Sequence, residues 1–254
     1  MSRAMLTILL TAFGCLVGAA VGSYLATVLI RWPQGLSASS GRSRCDACGC
    51  ELQWHQLIPL LSFAMQRGRC IQCGAEISKA HLVMELAAAM IGGVSVLLFA
   101  GLPELAIATA ILGWFLLLLA ALDWQHLWLP DRLTFSLALL GLGANLMAIG
   151  PGVVAGTIGM MAGFSSLWLI ARCYHLLRGR EGLGGGDPKL LAAAGAWLGW
   201  AVLPQLILVA ALVGLLHALI SAVSGLTAGA THRIPLGTML ALVAWPLWVI
   251  ERLG

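Results

Sequence analysis

Two aspartates, Asp123 and Asp187, stand beside long apolar stretches in a chain that has few other acidic residues. Asp187 falls within the segment GLGGGDPK, residues 182–189. Charged side chains at membrane depth are costly, so a chain that keeps them there usually has a use for them. Two carboxyl groups can hydrolyse a peptide bond when one takes a proton from water and the other, protonated, polarises the scissile carbonyl. The first hypothesis is therefore an aspartyl hydrolase that works at a membrane.

The composition is that of an all-α polytopic membrane protein. Of the 254 residues, 60% are hydrophobic and 9% are charged, and the mean hydropathy is +0.96. Soluble domains carry roughly 25% charged residues. A spanning helix needs about 20 apolar residues, although shorter ones can tilt or thin the bilayer. The sequence predicts eight transmembrane helices, within the ranges 5–30, 82–101, 104–122, 133–149, 152–177, 189–203, 205–224 and 235–250.

The basic residues are distributed unevenly between the two sides that eight spans define. Twelve of the 14 Lys and Arg residues fall on one side, and only Arg3 and Arg252 fall on the other. The positive-inside rule places the basic side in the cytoplasm and the N-terminus outside. A basic face of this kind meets anionic membrane lipids, so we expect lipid contacts and no nucleic-acid binding.

The first apolar segment is expected to be a retained helix. It is too long for the apolar part of a signal peptide, and no polar cleavage zone follows it. Gly14, Gly18 and Gly22 repeat every four residues. This spacing puts them on one helical face and predicts close packing against a neighbouring helix.

Residues 31–81 form the one long polar segment, and they contain two C-x2-C pairs separated by a spacing typical of a zinc site. The segment has too few apolar residues for a core of its own, which a structural metal would replace. Disulfides are disfavoured in the reducing cytoplasm, and plain thiols or a transient disulfide are the alternatives to zinc. Cys50 offers an alternative fourth ligand. The predicted zinc ligands are Cys45, Cys48, Cys70 and Cys73.

Each aspartate also has a structural interpretation. An Asp followed by Pro, as at Asp187, is typical of a helix N-cap, and the glycine run could be a flexible linker. Alternatively, Gly184 and Gly186 would let backbone or substrate approach the carboxylate closely. Asp131, in the segment LPD, competes with Asp123 for the first position of the pair and could instead cap a helix.

Two further charged residues keep open roles. Lys189 could hold the Asp187 carboxylate ionised or face lipid headgroups. Glu85 could pair with a cytoplasmic arginine or contact a substrate or cofactor. Other protease chemistries are disfavoured, because the sequence has neither an H-E-x-x-H motif nor a G-x-S-x-G motif.

Several segments taken together, in this order, resemble one known family, the prepilin leader peptidases of bacterial type IV pilus and type II secretion systems. Glu85, after the cysteine region, belongs to the same pattern. The segments are VGSYLATVLIRWP (21–33), SRCDACGCEL (43–52), WHQLIPLLSF (54–63), RGRCIQCGAEIS (67–78), LDWQHLWLPDRLT (122–134) and GLGGGDPKLLAAAGAWLG (182–199).

The resemblance implies a GxGD aspartyl endopeptidase of the bacterial inner membrane. Members cut a short basic leader from a membrane-inserted pilin or pseudopilin precursor, after a glycine on the cytoplasmic side. The matched positions imply that Asp123 and Asp187 are the catalytic carboxylates. Many members then N-methylate the new first residue with S-adenosylmethionine, and those with the cysteine domain are usually bifunctional. Both activities are therefore expected here, although no motif singles out residues that bind the methyl donor.

The expected organisation is a first transmembrane helix over 1–30, a cytoplasmic cysteine-rich zinc domain over 31–81, and a seven-helix peptidase domain over 82–254. Two other functions stay open. A presenilin-like intramembrane protease shares the GxGD motif, but its usual Tyr-Asp and Pro-Ala-Leu partners do not occur in this sequence. An ion- or proton-coupled transporter would also keep acidic residues in membrane helices.

Overall fold

The fold was analysed in a computed structural model, which describes residues 2–39, 42–45, 47–180, 182–224 and 235–254. Helices dominate this part of the chain, and two short 3-10 turns lie at Trp32–Gln34 and Trp54–Leu57. The α-helices are α1 (Arg3–Arg31), α2 (Leu61–Met65), α3 (Lys79–Leu98), α4 (Pro103–His126), α5 (Asp131–Leu146), α6 (Val153–Arg178), α7 (Asp187–Leu198), α8 (Leu203–Val223) and α9 (Leu236–Leu253).

One helix lies along each predicted apolar stretch, and six of these helices are long and apolar enough to cross a membrane, which confirms the all-α multi-pass architecture. Within the described ranges, six helices are long and apolar enough to cross a membrane: α1, α3, α4, α6, α8 and α9. The helices α5 and α7 have 16 and 12 residues, fewer than the roughly 20 that a perpendicular span requires. The count of eight spans stays a prediction.

The chain divides into two compact units, residues 1–114 and 115–254. In the first unit, α1 lies along α3. Gly14, Gly18 and Gly22 are all buried, and a Cβ added to Gly18 would collide with the backbone carbonyl of Ala88. Small residues let two helices approach backbone to backbone, which is how helices associate tightly in lipid. The close contact that the four-residue spacing predicts is confirmed.

The two cysteine pairs of this unit lie on two similar tight turns. In the first turn, Cys45 N–H donates to the Cys50 carbonyl and Gly49 N–H donates to the Cys45 carbonyl, both at 2.9 Å. The second turn repeats these bonds, with Cys70 N–H and Gly74 N–H as donors. Gly49 and Gly74 have φ of 71° and 70°, a left-handed conformation that glycine adopts without steric cost. Each turn therefore brings its two cysteines to the same side of the backbone.

The second unit is built around the short helix α7. Every residue of α7 except Lys189 is buried, and the helix packs against α5, α6 and α9. Trp197 anchors its end: the indole N–H donates to the Leu137 carbonyl at 2.8 Å, and the ring meets Trp248 edge to face, with centroids 5.3 Å apart. These contacts fix the position of Asp187, the first residue of α7.

Candidate active site

Asp123 is buried near the C-terminal end of α4, with 5% of its surface exposed. Its Oδ2 accepts the backbone N–H of Thr238 at 2.7 Å, and the Thr238 hydroxyl lies 3.1 Å from the same oxygen. That hydroxyl also lies 3.1 Å from the Ala120 carbonyl. Because a buried carboxylate needs donors, the first turn of α9 supplies the partners that one Asp123 oxygen requires.

Asp187 is the first residue of α7, and Gly186 occupies the N-cap position, so Asp187 itself is not the cap. The side chain is 6% exposed. It lies outside the six candidate spans. Burial, and secondarily the negative charge of Asp123, raise the pKa of Asp187 to about 6, while the backbone N–H groups of Gly184 and Gly237 oppose this shift. Asp187 can therefore carry a proton close to neutral pH.

One residue, Gly237, lies beside both carboxyl groups. A Cβ added there would lie 2.9 Å from Asp123 Oδ2, and the Gly237 N–H also stabilises the charged form of Asp187. Leu129 packs beside them, because Cβ atoms added to Gly186 and Gly237 would lie 2.6 and 2.7 Å from its side chain. A buried pair of interacting carboxyl groups titrates as a unit and can share one proton.

The glycines of the GxGD segment do allow close approach to the carboxylate. A Cβ added to Gly184 would lie 3.1 Å from Asp187 Oδ2, and one added to Gly186 would collide with Leu129. Gly184 also accepts the Asp187 backbone N–H at 3.2 Å. The segment around Asp187 is therefore an ordered turn that packs against the carboxyl group.

Asp131 and Lys189 lie apart from this buried pair. Asp131 begins α5, its side chain is 73% exposed, and its Oδ1 accepts Lys189 Nζ at 2.6 Å. Lys189 therefore forms an ion pair with Asp131 and not with Asp187. An exposed ion pair of this kind is worth at most about 1 kcal/mol.

The four cysteines of the two tight turns form a cluster that could hold a metal ion. The Sγ atoms of Cys45, Cys48, Cys70 and Cys73 lie within 4.8 Å of one another. Tetrahedral zinc with Zn–S bonds of about 2.3 Å separates its sulfurs by about 3.8 Å, so the cluster needs only a small contraction. The backbone N–H groups of Cys73 and Gln72 lower the pKa of the Cys70 thiol to about 6. This favours the thiolate, which is the metal-binding form, at Cys70. The pKa of the Cys73 thiol is raised to about 11, because burial and the other three cysteines outweigh the opposing Ala75 N–H.

Cys50 lies beside the cluster but is not one of the two cysteines that each turn contributes to it. In the first turn its carbonyl accepts Cys45 N–H, and in the second turn the Ala75 carbonyl accepts Cys70 N–H. Cys50 therefore occupies the position that alanine holds in the second turn. Its Sγ still lies 4.0 Å from the Cys70 Sγ, close enough to interact with a ligand sulfur.

A cavity of about 470 Å³ opens in the first unit, within the size range of small-molecule sites. Glu85 lines it and is 6% exposed. Its Oε2 accepts the Leu60 N–H at 2.8 Å. Leu60 has φ of 63°, a conformation uncommon for a leucine, which this bond helps to hold. Other lining side chains include Ser23, Thr27, Arg31, Phe63 and His81.

Sequence reasoning missed Gly237, Thr238 and this cavity. The Thr238 contacts join residues 115 positions apart, and no motif marks such a pair. One signal was present: the last apolar stretch begins on the side of the membrane where the predicted topology also places Asp123 and Asp187. The start of that stretch was therefore a place to look for a partner of the pair.

The fold and the site define a class: polytopic helical membrane proteins with a buried pair of interacting aspartates. Comparison with known proteins is more specific. A model described as Bacterial Peptidase A24 N-terminal domain matches residues 16–99, and one described as Type IV leader peptidase family matches residues 110–219. The chain belongs to the type IV leader peptidase family, which confirms the resemblance carried by its motifs.

Curated relatives agree with this membership. Proteins named prepilin leader peptidase/N-methyltransferase are similar to most of the chain. The one from Klebsiella pneumoniae is 40% identical over 78% of this chain and 90% of its own length. The one from Dickeya chrysanthemi is 37% identical over 91% and 87%, and the one from Burkholderia pseudomallei strain 1026b is 35% identical over 80% and 74%. No solved structure matches the chain.

Proposed function

We propose that this protein cleaves the basic leader from prepilin or pseudopilin precursors at the cytoplasmic face of the bacterial inner membrane and N-methylates the new first residue. Family membership and the names of the relatives support both activities. The observation that carries the peptidase half is the burial of Asp123 and Asp187 as an interacting pair. A presenilin-like activity is not favoured, because the matched family is the leader peptidases.

The pair would act on one water molecule. The ionised carboxyl group takes a proton from water, and the protonated one donates a hydrogen bond to the carbonyl oxygen of the scissile glycyl bond. The water oxygen adds to the carbonyl carbon, and the tetrahedral intermediate collapses as the amine leaves with a proton from the pair. Sharing a single proton lets the two side chains exchange roles within one turnover.

We propose the topology from charge. The excess of Lys and Arg on one side places the segment 31–81 and both carboxyl groups in or at the cytoplasm and the N-terminus in the periplasm. Residues 1–30 would be the first span, 31–81 the cysteine-rich domain and 82–254 the peptidase domain. Anionic lipids would contact the basic side.

We propose that Cys45, Cys48, Cys70 and Cys73 hold a structural zinc ion, which fits their sulfur cluster. S-adenosylmethionine is the proposed methyl donor, and when bound it would supply a methyl group on a sulfonium. The cavity of the first unit has room for a molecule of this size. The buried Glu85 could receive its ammonium or ribose hydroxyl groups, Arg31 its carboxylate and Phe63 its adenine ring.

The proposed function is tested by incubating the purified protein with a precursor pilin, with and without S-adenosylmethionine. Mass analysis of the product should show a mature N-terminus in both samples and one added methyl group only in the sample with the donor. An intact precursor in both samples would remove the proposal. Cleavage without methylation would leave only its peptidase half.

The cavity assignment gives a separate prediction. Glu85→Gln keeps the side-chain shape and an oxygen for Leu60 N–H, but it removes the charge. We expect methyl transfer to a pre-cleaved peptide to fall about tenfold or more, because hydrogen bonds to charged groups are stronger than those between neutral groups. Precursor cleavage should persist.

Binding of S-adenosylmethionine, measured calorimetrically, should weaken in parallel. Glu104→Gln is the matched control, because Glu104 lies in the first turn of α4 and does not line the cavity. Unchanged donor binding in the Glu85 variant would place the donor elsewhere.

A further inference from the structure

The first turn of α9 touches both members of the carboxyl pair. Thr238 donates its backbone N–H to Asp123 Oδ2 at 2.7 Å, and the N–H of the preceding residue, Gly237, acts on Asp187. Two consecutive amides thus face two different carboxyl groups. Amides in the first turn of a helix have no intrahelical acceptor, so they are free to serve this purpose.

Residue 237 must be small for the pair to form. A Cβ there would lie 2.9 Å from Asp123 Oδ2, 3.1 Å from Asp123 Cγ and 2.7 Å from the Leu129 side chain. Asp123 and Leu129 are both buried, so neither can retreat into solvent. An added methyl group would therefore displace the Asp123 carboxyl group or move the start of α9.

Thr238 restricts what Asp123 can do. An oxygen that accepts an N–H at 2.7 Å is a weaker acceptor once it is protonated, so this bond disfavours placing the shared proton on Oδ2. The Thr238 hydroxyl lies 3.1 Å from the same oxygen and 3.1 Å from the Ala120 carbonyl, so these two acceptors share its one hydrogen. Among the residues that the structure describes, no donor contacts the other oxygen, Asp123 Oδ1, so this is the oxygen that would bind the water molecule.

We propose that Gly237 and Thr238 form a third element of the active site, a positioning segment that clamps Oδ2 of Asp123 and lets the two carboxyl groups close on one water molecule. The segment lies beyond residue 219, where the family match ends. The proposal rests on the proposed peptidase function. Both residues act through the aspartates, so they are positioning residues and not catalytic ones.

The first test is Gly237→Ala. Because a misplacement of about 1 Å in a reacting group can lower a rate a hundredfold, kcat for precursor cleavage should fall about a hundredfold while KM changes little. The matched control is Gly143→Ala, because no atom lies within 4 Å of a Cβ added to Gly143. This variant should cleave the precursor at the normal rate. Cleavage by Gly237→Ala with a kcat within twofold of the unsubstituted protein would overturn the proposal.

The second test adds no bulk and decides the matter if Gly237→Ala does not fold. Thr238→Val removes only the hydroxyl, and a lost bond to a carboxylate should lower kcat about tenfold with KM unchanged. Thr238→Ser should restore most of the rate. The control is Thr134→Val, because Thr134 is also buried but its hydroxyl donates only to the backbone carbonyls of Pro130 or Asp131.

The outcomes separate this inference from the proposed function. If the unsubstituted protein does not cleave a precursor, the function itself is wrong and the positioning segment has no reaction to serve. If it cleaves and Thr238→Val keeps full kcat, the inference alone is wrong. A loss in Thr238→Val that Thr238→Ser does not restore, or that Thr134→Val reproduces, would indicate a packing role and would also overturn it.

Discussion

Asp123→Asn and Asp187→Asn are each expected to abolish precursor cleavage, lowering kcat by about a thousandfold or more, as loss of one member of the catalytic triad does in a serine protease. An amide has nearly the shape of a carboxyl group but can neither take a proton from water nor share one with its neighbour. The measurement is the rate at which purified variants convert a precursor pilin to its mature form. Full processing by either single variant would contradict the assignment.

Asp131→Asn is the matched control for this experiment. It makes the same chemical change eight residues along the chain from Asp123, at a side chain that is 73% exposed and paired with Lys189. Cleavage should persist, because Asp131 lies outside the buried pair. Loss of cleavage in this variant and not in Asp123→Asn would reverse the choice between the two aspartates.

Unfolding will not explain the loss in Asp187→Asn. The folded-state pKa of Asp187 is raised to about 6 from an ordinary value of 3.8, so burying its charge destabilises the fold at neutral pH. Asparagine has no such charge. The variant should therefore be at least as thermally stable as the unsubstituted protein at pH 7.5, and any gain should fade as the pH falls through 6 toward 3.8.

Removal of a cluster thiol is expected to release the metal and unfold the cysteine segment. Metal analysis of the purified protein should find about one zinc per chain, and Cys45→Ser or Cys70→Ser should lose it. Structural zinc contributes about 10–16 kcal/mol to the folding of zinc-finger peptides, far more than the few apolar contacts of this segment can replace. Limited proteolysis should then cut within residues 42–78 of the variants.

Cys50→Ala is the control that decides whether Cys50 is a zinc ligand. Because Cys50 occupies the place of Ala75 in the repeated turn, this variant should keep its zinc and its resistance to proteolysis. Zinc loss in Cys50→Ala would make Cys50 a ligand. A metal-free preparation of the unsubstituted protein with an intact cysteine segment would retire the zinc proposal.

The helices were predictable because their signal is local. Apolar runs bounded by Pro, Gly and charged residues predict spans directly, and each predicted run contains one helix. The ends of the shorter helices were not predictable in the same way. The run predicted over 189–203 stops at Leu198, because Gly199 takes φ of 79° and leaves the helical conformation.

The candidate site was only partly predictable. The motifs singled out Asp123 and Asp187, yet spacing alone could not separate Asp123 from Asp131, because both flank the same loop. Burial of one and exposure of the other is a tertiary property. The same holds for Gly237, whose need to be small arises from packing against Leu129 and Asp123, residues more than a hundred positions earlier.

The burial of α7 has a consequence for how the enzyme responds to bilayers of different thickness. With 11 of its 12 residues buried among neighbouring helices, α7 takes its depth from protein contacts and not from hydrocarbon thickness. The helix end that carries Asp187 is thereby insulated from stretching or thinning of the surrounding lipid. Membranes that differ in acyl-chain length should therefore leave the geometry around Asp187 intact, and the longer helices with exposed apolar side chains would adapt to them.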